Sequence, residues 1–591
     1  MRLLVYLLLC IPTLLVAQDD LFAKEYYKNG DFEKALIEYK KLYNTSKSNI
    51  TYIKQIIDTH QQLEQYKEAE AFINEIINRT NYPAFYVSLG YNYQLQNNIE
   101  KANEHYTIAI NSLLVNPNNA YSVARTFQDY SLLEQAATTY EKAMELKPEL
   151  NLKLPLAQIY GEQGNIEKMM LNYIDFAERN PISLNNIKRA LSSFISEDGD
   201  AESNVILRKL LIKKIQQEPN VLWNELLSWL FVQQKDFNKS FTQEKAINTR
   251  TQEGLDRILN LGRIAEKENA TETAKTIFNY VVENAQDNDT KLKAFYDLLQ
   301  IETKQANKAD YKELQSKYLQ LFDTYGKFAQ TLDLQLSYAH FLAFNMNKTE
   351  EATAFLEEAL KLPINDIQKA EIKLELGDIL VLKEEFNKAL IYYTQIQRNL
   401  KNSTVSQMAR FKVAKASYYK GDFKWAESQL KILKSSTSQL IANDALELKL
   451  LISDNKYEDS LQTPLKQYAK ADLLAFQNRN DEAIDILNKV IEVHKTEPII
   501  PQALYKQAQL FEVKQQFEKA AANYQFIIDN FRDGILADNA IYSLAELYLH
   551  HLNAPEKAKE LHKELVFNYA DSIYFIEARK QFRRLRGDAI N

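Results

Sequence analysis

The chain has 591 residues with 72 basic and 79 acidic side chains and a net charge of −7, so no overall field draws it to nucleic acid or to an anionic membrane surface. Gly and Pro contribute only 12 residues each, far below the roughly 12% they usually supply together, which leaves little turn chemistry for sheets or long loops. A single cysteine, Cys10, excludes a disulfide framework and a thiolate metal site.

At the N-terminus, Met1-Arg2 precedes an apolar run from Leu3 to Ala17 that ends at Gln18-Asp19-Asp20. That order of charge and apolarity predicts a secretory signal over residues 1–17, cleaved after Ala17 or Gln18. A membrane anchor is the weaker reading, because a spanning helix needs roughly 20 apolar residues and Pro12 interrupts the run. Lipidation at Cys10 is disfavoured by Leu9, which stands where the processing site prefers a small residue.

From 19 to 182 alanine recurs at one interval: Ala35, Ala69, Ala102 and Ala136, then Met169, with gaps of 34, 33, 34 and 33. A repeat of that length holds two short helices and two turns, and it cannot bury its own apolar face without stacked neighbours. In Tyr86, Leu89, Gly90, Tyr93, Ala102, Tyr106 and Ala109 large and small side chains alternate at helical spacing, with Asn97-Asn98 turning the chain. Gly90 and Ala102 lack bulk where paired helices must approach to roughly 8–10 Å. Val123, Ala124, Phe127, Ala136, Tyr140, Ala143 and Pro148 restate the scheme, as do Leu156, Ala157, Tyr160, Met169, Tyr173, Phe176 and Pro181. Ala23, Tyr26, Ala35, Tyr39 and Leu42 form the first copy; Ile57, His60, Ala69, Ile73 and Ile76 form a weaker second. This in-phase pattern resembles the tetratricopeptide repeat. The resemblance implies an all-α chain, a right-handed α-solenoid of stacked antiparallel helix pairs.

Residues 183–330 depart from the pattern. The stretch 183–218 is helical without the small pair; Trp223, Leu227, Ser228, Phe231, Phe237, Ser240 and Ile247 then resume it, followed by Gly262, Ala265, Ala274, Phe278 and Val281. The phase is lost again around Tyr311, Tyr318, Phe322 and Tyr325. Apolar content is too high for a disordered linker, so these stretches are expected to be divergent helix pairs, with Trp223 and Trp229 filling core. From 331 to 591 the rungs Ala352, Ala389, Ala426, Ala483, Ala520 and Ala558 are 37, 37, 57, 37 and 38 apart, which predicts a second array with longer helices or turns and an extra helix near Ile441–Ile452. Ala508, Phe511, Phe517, Ala520, Tyr524, Ile527, Asn530-Phe531, Ala537, Ala540 and Leu544, then Asn568 to Ser572 and Ala578-Arg579, are similar to the repeats of exported envelope proteins of the BamD and CpoB type. Ala570 stands where that family often has Pro.

No constellation for catalysis appears. The closest glycine pair, Gly161-x-x-Gly164, sits in a repeat turn rather than a phosphate loop. The seven histidines never form a His-Glu-x-x-His face, and His550-His551 reads as an exposed helix end. Glu357-Glu358 and Glu384-Glu385 are adjacent on helices and point apart. No Gly-x-Ser-x-Gly elbow exposes a serine. The expectation is a non-enzyme with no cofactor, no metal and no small-molecule substrate.

In tetratricopeptide arrays the first helix of each repeat lines the concave face, so the resemblance implies groove contacts at Tyr91, Tyr121, Arg125, Gln128 and Gln158, and in the second array at Phe411, Lys415, Tyr418, Tyr505 and Gln509. Aromatic and Arg groups in a groove suit an extended peptide or a partner helix. The Lys/Asn pattern that clamps a C-terminal carboxylate in some arrays is missing, with Val87 and Tyr91 in its slots. The basic ending Arg579 to Arg586 complements a helix C-terminus. Together these features predict a protein-interaction scaffold or adaptor, exported and periplasmic, whose partners are other envelope proteins, including outer-membrane complexes, and not nucleic acid. A glycan- or peptidoglycan-binding component of the envelope is the alternative.

Overall fold

The structure, a computed structural model, describes residues 20–433, 438–455 and 462–588. Residues 1–17, read from the sequence as a secretory signal, and Cys10 lie outside them. The described residues are built of helices, with no strand among them. Consecutive helices pack as antiparallel pairs that stack along the chain, forming the all-α solenoid. Two compact units emerge, Met1–Gln234 and Lys235–Asn591.

In the first unit, the first helices of successive pairs are 20–28, Ile50–Gln62, Ala84–Leu95, Ala120–Asp129, Lys153–Glu162, Leu184–Ser192 and Val221–Gln233. The second helices are Phe32–Thr45, Tyr66–Thr80, Ile99–Asn111, Leu133–Leu146, Ile166–Arg179 and Glu202–Gln217. Every alanine rung lies on a second helix and is fully buried, and Met169 is 1% exposed. The rung is small because the first helix crosses there. A Cβ on Gly90 would stand 2.5 Å from Cε1 of Tyr106 and 2.9 Å from the Ala102 carbonyl oxygen, so that crossing admits no side chain on the first helix.

A second ladder lies in the backbone. Gly30, Glu64, Asn97, Ser131 and Gly164 all have positive φ, between 57° and 82°, and each stands five positions before its rung. Lys235, Asn269, Asn347, Glu384, Gly421, Asn478, Gln515 and Asn553 continue the series through the second unit, again five before a small residue: Ser240, Ala274 or a rung of the second array. A left-handed residue ends the first helix of a pair and turns the chain into the second. Asn98, Asn165 and Asp236 then cap the second helix, each accepting from the backbone N–H three residues on at 3.1–3.2 Å.

The second unit runs from Phe237–Thr251 to Phe575–Arg586. Its longer step has two sources: first helices of 17 residues in Asp366–Leu382 and 16 in Thr404–Tyr419, against 12 in Ala84–Leu95 and 10 in Ala120–Asp129, and the longer turns 494–499 and 531–536 ahead of Ile500–Val513 and Ala537–His550. The 57-residue gap contains the extra helix Gln439–Asn455. The phase-less stretches are helical as expected, with Asn288–Gln305 beside Tyr311–Tyr325, and Leu184–Ser192 before Glu202–Gln217. Trp223 is fully buried and Trp229 packs against the same core. Within this unit the turn after Thr463–Phe476 reaches back across several helices. Gln477 Nε2 donates to the Leu382 carbonyl (3.0 Å), Asn478 Nδ2 to the Phe344 carbonyl (3.3 Å), and Lys470 pairs with Glu384 at 2.8 Å. No described helix is long and apolar enough to cross a membrane.

Candidate functional site

The first helices of the first unit share one face. Stepping by 33 or 34 along them places Asp58, Tyr91, Arg125 and Gln158 at one equivalent position, one turn beyond Lys54, Val87 and Tyr121. That face is concave, because Lys54 Nζ reaches Asp129 Oδ2 at 2.8 Å although the two belong to helices separated by an intervening pair. Asp129 also forms an ion pair with Arg125 Nε at 3.2 Å, and Gln128 Nε2 donates to Glu162 Oε1 of the next first helix at 2.6 Å.

A cavity of about 230 Å³ opens here, lined by Tyr27, Lys54, Asp58, Gln61, Tyr91, Asp129 and Tyr130 among others. The rings of Tyr91 and Tyr130 stack at 4.1 Å with 15° between planes, an offset arrangement that aromatic quadrupoles favour. The Tyr130 hydroxyl donates to Asp58 Oδ1 at 3.0 Å and lies 3.2 Å from Ser88 Oγ. Scarcity of water pushes the Asp58 carboxyl up to about 6, against the opposing pull of the Tyr130 hydrogen bond and the Lys54 charge and with the help of Asp129. Burial and the Asp58 charge likewise hold Tyr130 neutral, its pKa well above the ordinary tyrosine value.

Of the residues expected to contact a partner, Tyr91 lines this cavity. Arg125 is tied to the lining residue Asp129, Gln128 bonds onward to Glu162 of the next first helix, Tyr121 is 60% exposed, and Gln158 is exposed further along the same face. In the second unit Gln509 is exposed, and Lys415 lies half-buried with Nζ 5.8 Å from the Tyr419 ring. Phe411 and Tyr505 pack against the core, the Tyr505 ring 5.4 Å from Tyr524 and its hydroxyl 3.2 Å from Ser543 Oγ. Tyr418 requires correction: it is fully buried, so it fills core instead of facing a ligand. Its place in the helix Thr404–Tyr419 turns it inward beside Phe423 of the paired helix. Beside these residues, Lys412 and Lys506 are tied at 2.6 Å to Asp378 and Asp472 of the preceding first helices.

The cavity's Asp58, Tyr27, Lys54, Asp129 and Tyr130 were absent from the expected contacts. Asp58 was within reach, since it stands 33 residues before Tyr91 in the same register. Tyr130 was not, because it lies just past the C-terminus of Ala120–Asp129, where helical periodicity no longer says which way a side chain faces.

Residues 468–535 match the family model of the tetratricopeptide repeat. Among solved structures the chain is similar to that of Naa15/Naa10 bound to HypK-THB, at 12% identity over 97% of this chain and 96% of the other, with a TM-score of 0.30. It is also similar to the APC/C hetero-tetramer Cut9-Hcn1, at 13% identity over 91% and 96%, with a TM-score of 0.24. At those scores the likeness adds nothing to what the helix pairing already establishes. No curated protein matches the chain.

Proposed function

We propose that this chain, whose residues 468–535 match the tetratricopeptide repeat, is a non-catalytic scaffold of the bacterial cell envelope that holds a partner's extended segment or helix on the concave face of its first unit. The observation that carries the proposal is the convergence of four first helices on one cavity, with Lys54 and Asp129 meeting across it. A face of tyrosines, amides and paired charges offers both apolar contact and hydrogen bonds, the mixture that suits peptide recognition. The sequence of residues 1–17 and the likeness of the last repeats to exported envelope proteins support the envelope setting. Non-catalytic action is the reading that the tetratricopeptide repeats support.

The test is capture of envelope proteins from gently solubilised membranes by the purified chain and by a Tyr91→Ala/Arg125→Glu variant. The wild type is expected to retain a defined set of proteins, and the variant, with its helical content retained, to lose it by about tenfold or more. Equal capture by both would contradict the groove. Tight binding to purified peptidoglycan without protein partners would favour the glycan alternative.

A further inference from the structure

We propose that the cavity of the first unit accepts a basic side chain of the partner, its guanidinium or ammonium group set against Asp58 and the ring faces of Tyr27, Tyr91 and Tyr130. The inference rests on the groove reading above and adds the chemistry of the residue recognised. At about 230 Å³ the space is below the roughly 300–1,000 Å³ of pockets that hold whole small molecules. It suits one long side chain.

Charge selects which side chain. Lys54, the cation among the lining residues, is committed to Asp129 at 2.8 Å, and Arg125 is drawn to the same carboxylate at 3.2 Å. Asp58 has the Tyr130 hydroxyl on Oδ1, and an ionised carboxylate has lone pairs for further donors. The groups facing it are Lys54 on its own helix, Asp129 and Tyr130 from the segment 120–130, Tyr91 from Ala84–Leu95 and Tyr27 from 20–28. Without a partner, this carboxylate is poorly solvated and incompletely compensated, which is why its affinity for a proton is raised. An entering cation supplies the missing charge, and tyrosine faces within reach add cation–π attraction that grows as water leaves. A guanidinium additionally offers a flat surface to the stacked Tyr91–Tyr130 pair and several donors to the carboxylate.

The experiment titrates the full chain with Nα-acetyl-arginine amide and with its uncharged isostere Nα-acetyl-citrulline amide, following tyrosine fluorescence. Saturable binding of the arginine probe is expected, about tenfold tighter than the citrulline probe, a gap of about 1.4 kcal/mol. Asp58→Asn should bring the two probes within about twofold of each other. Tyr91→Leu should weaken the arginine probe severalfold while leaving citrulline unchanged. The arginine affinity should rise with pH through about 6 as Asp58 ionises and level off above. Equal affinities for the two probes, no saturable binding of either, or an arginine preference that survives Asp58→Asn would overturn the inference. If a partner is lost on changing Tyr91 and Arg125 while the two probes bind alike, the cavity inference fails alone. If capture is also indifferent to those residues, the groove reading fails with it.

Discussion

Asp58 is a residue whose place on the groove works against the stability of the empty protein. Its folded pKa, about 6, lies above that of a carboxyl in an unfolded chain, so between roughly pH 4 and 6 the folded state binds more protons than the unfolded one and stability falls as pH rises. Asp58→Asn keeps an acceptor for the Tyr130 hydroxyl and removes the charge. It is expected to raise stability at pH 7 by about 1–3 kcal/mol, with the difference vanishing near pH 4 and below, measured as the shift in urea midpoint of the two proteins across pH. An unchanged midpoint at pH 7 would show that Asp58 is well solvated after all. Gly90 makes the opposite case, a residue held by packing. Alanine there gains roughly 1 kcal/mol of helix propensity but drives a methyl into the Tyr106 ring and the Ala102 carbonyl, so Gly90→Ala should destabilise by about 1–3 kcal/mol in the same assay. That crossing was legible in the sequence as a missing side chain opposite an aromatic. Asp58 was legible only as one more polar residue, because what distinguishes it is the arrival of Tyr130 from two pairs away.

At the scale of the element, the alanine ladder and the left-handed ladder are two sides of one turn. The first is written in residue type, since the crossing has room for little side chain, and where Met169 fills the rung the facing first helix carries Gly161. The second is written mainly in conformation: Gly30, Asn97 and Gly164 suit a positive φ, whereas Glu64 and Ser131 do not. Residue identity therefore hid half of the turn signal. Glu64 is exposed with φ of 57°, so Glu64→Gly should relieve backbone strain and stabilise the chain by about 0.5–1 kcal/mol, seen as a higher melting temperature. A lower melting temperature would mean that the glycine's extra freedom in the unfolded chain outweighs the strain. The longer second-array step follows from first helices of 16 and 17 residues at two of its pairs and from longer turns before Ile500–Val513 and Ala537–His550 at two others. The choice between longer helices and longer turns was open in the sequence because both add the same number of positions.

For the whole molecule, stacking means that each pair is stabilised by its neighbours, so damage should spread locally instead of collapsing both units at once. Trp223 is fully buried in the core shared by the helices from Val87 to Phe231. Trp223→Ala should remove about 3–5 kcal/mol, and hydrogen exchange should lose protection across Leu184–Ser192, Glu202–Gln217 and Val221–Gln233 while Ile500–Val513 and Phe517–Asn530 keep theirs. Uniform loss in both units would contradict a modular array. The division at Gln234 and Lys235 was not legible in repeat phase, which changes at other points, because compactness depends on contacts between faces and not on period. The repeat step was informative about architecture and about where helices touch; the proposed binding face lies on first-helix positions between the rungs.

The central claim is that the concave face of the first unit holds the partner. Photo-reactive residues placed at Tyr121, Arg125 and Gln158 on first helices, and at Glu100 and Thr138, which are exposed on second helices, test it most directly when the chain is irradiated in the cells that produce it. A common protein adduct from the three first-helix sites, with none from the second-helix pair, is the predicted result. Adducts from Glu100 and Thr138 alone would contradict it.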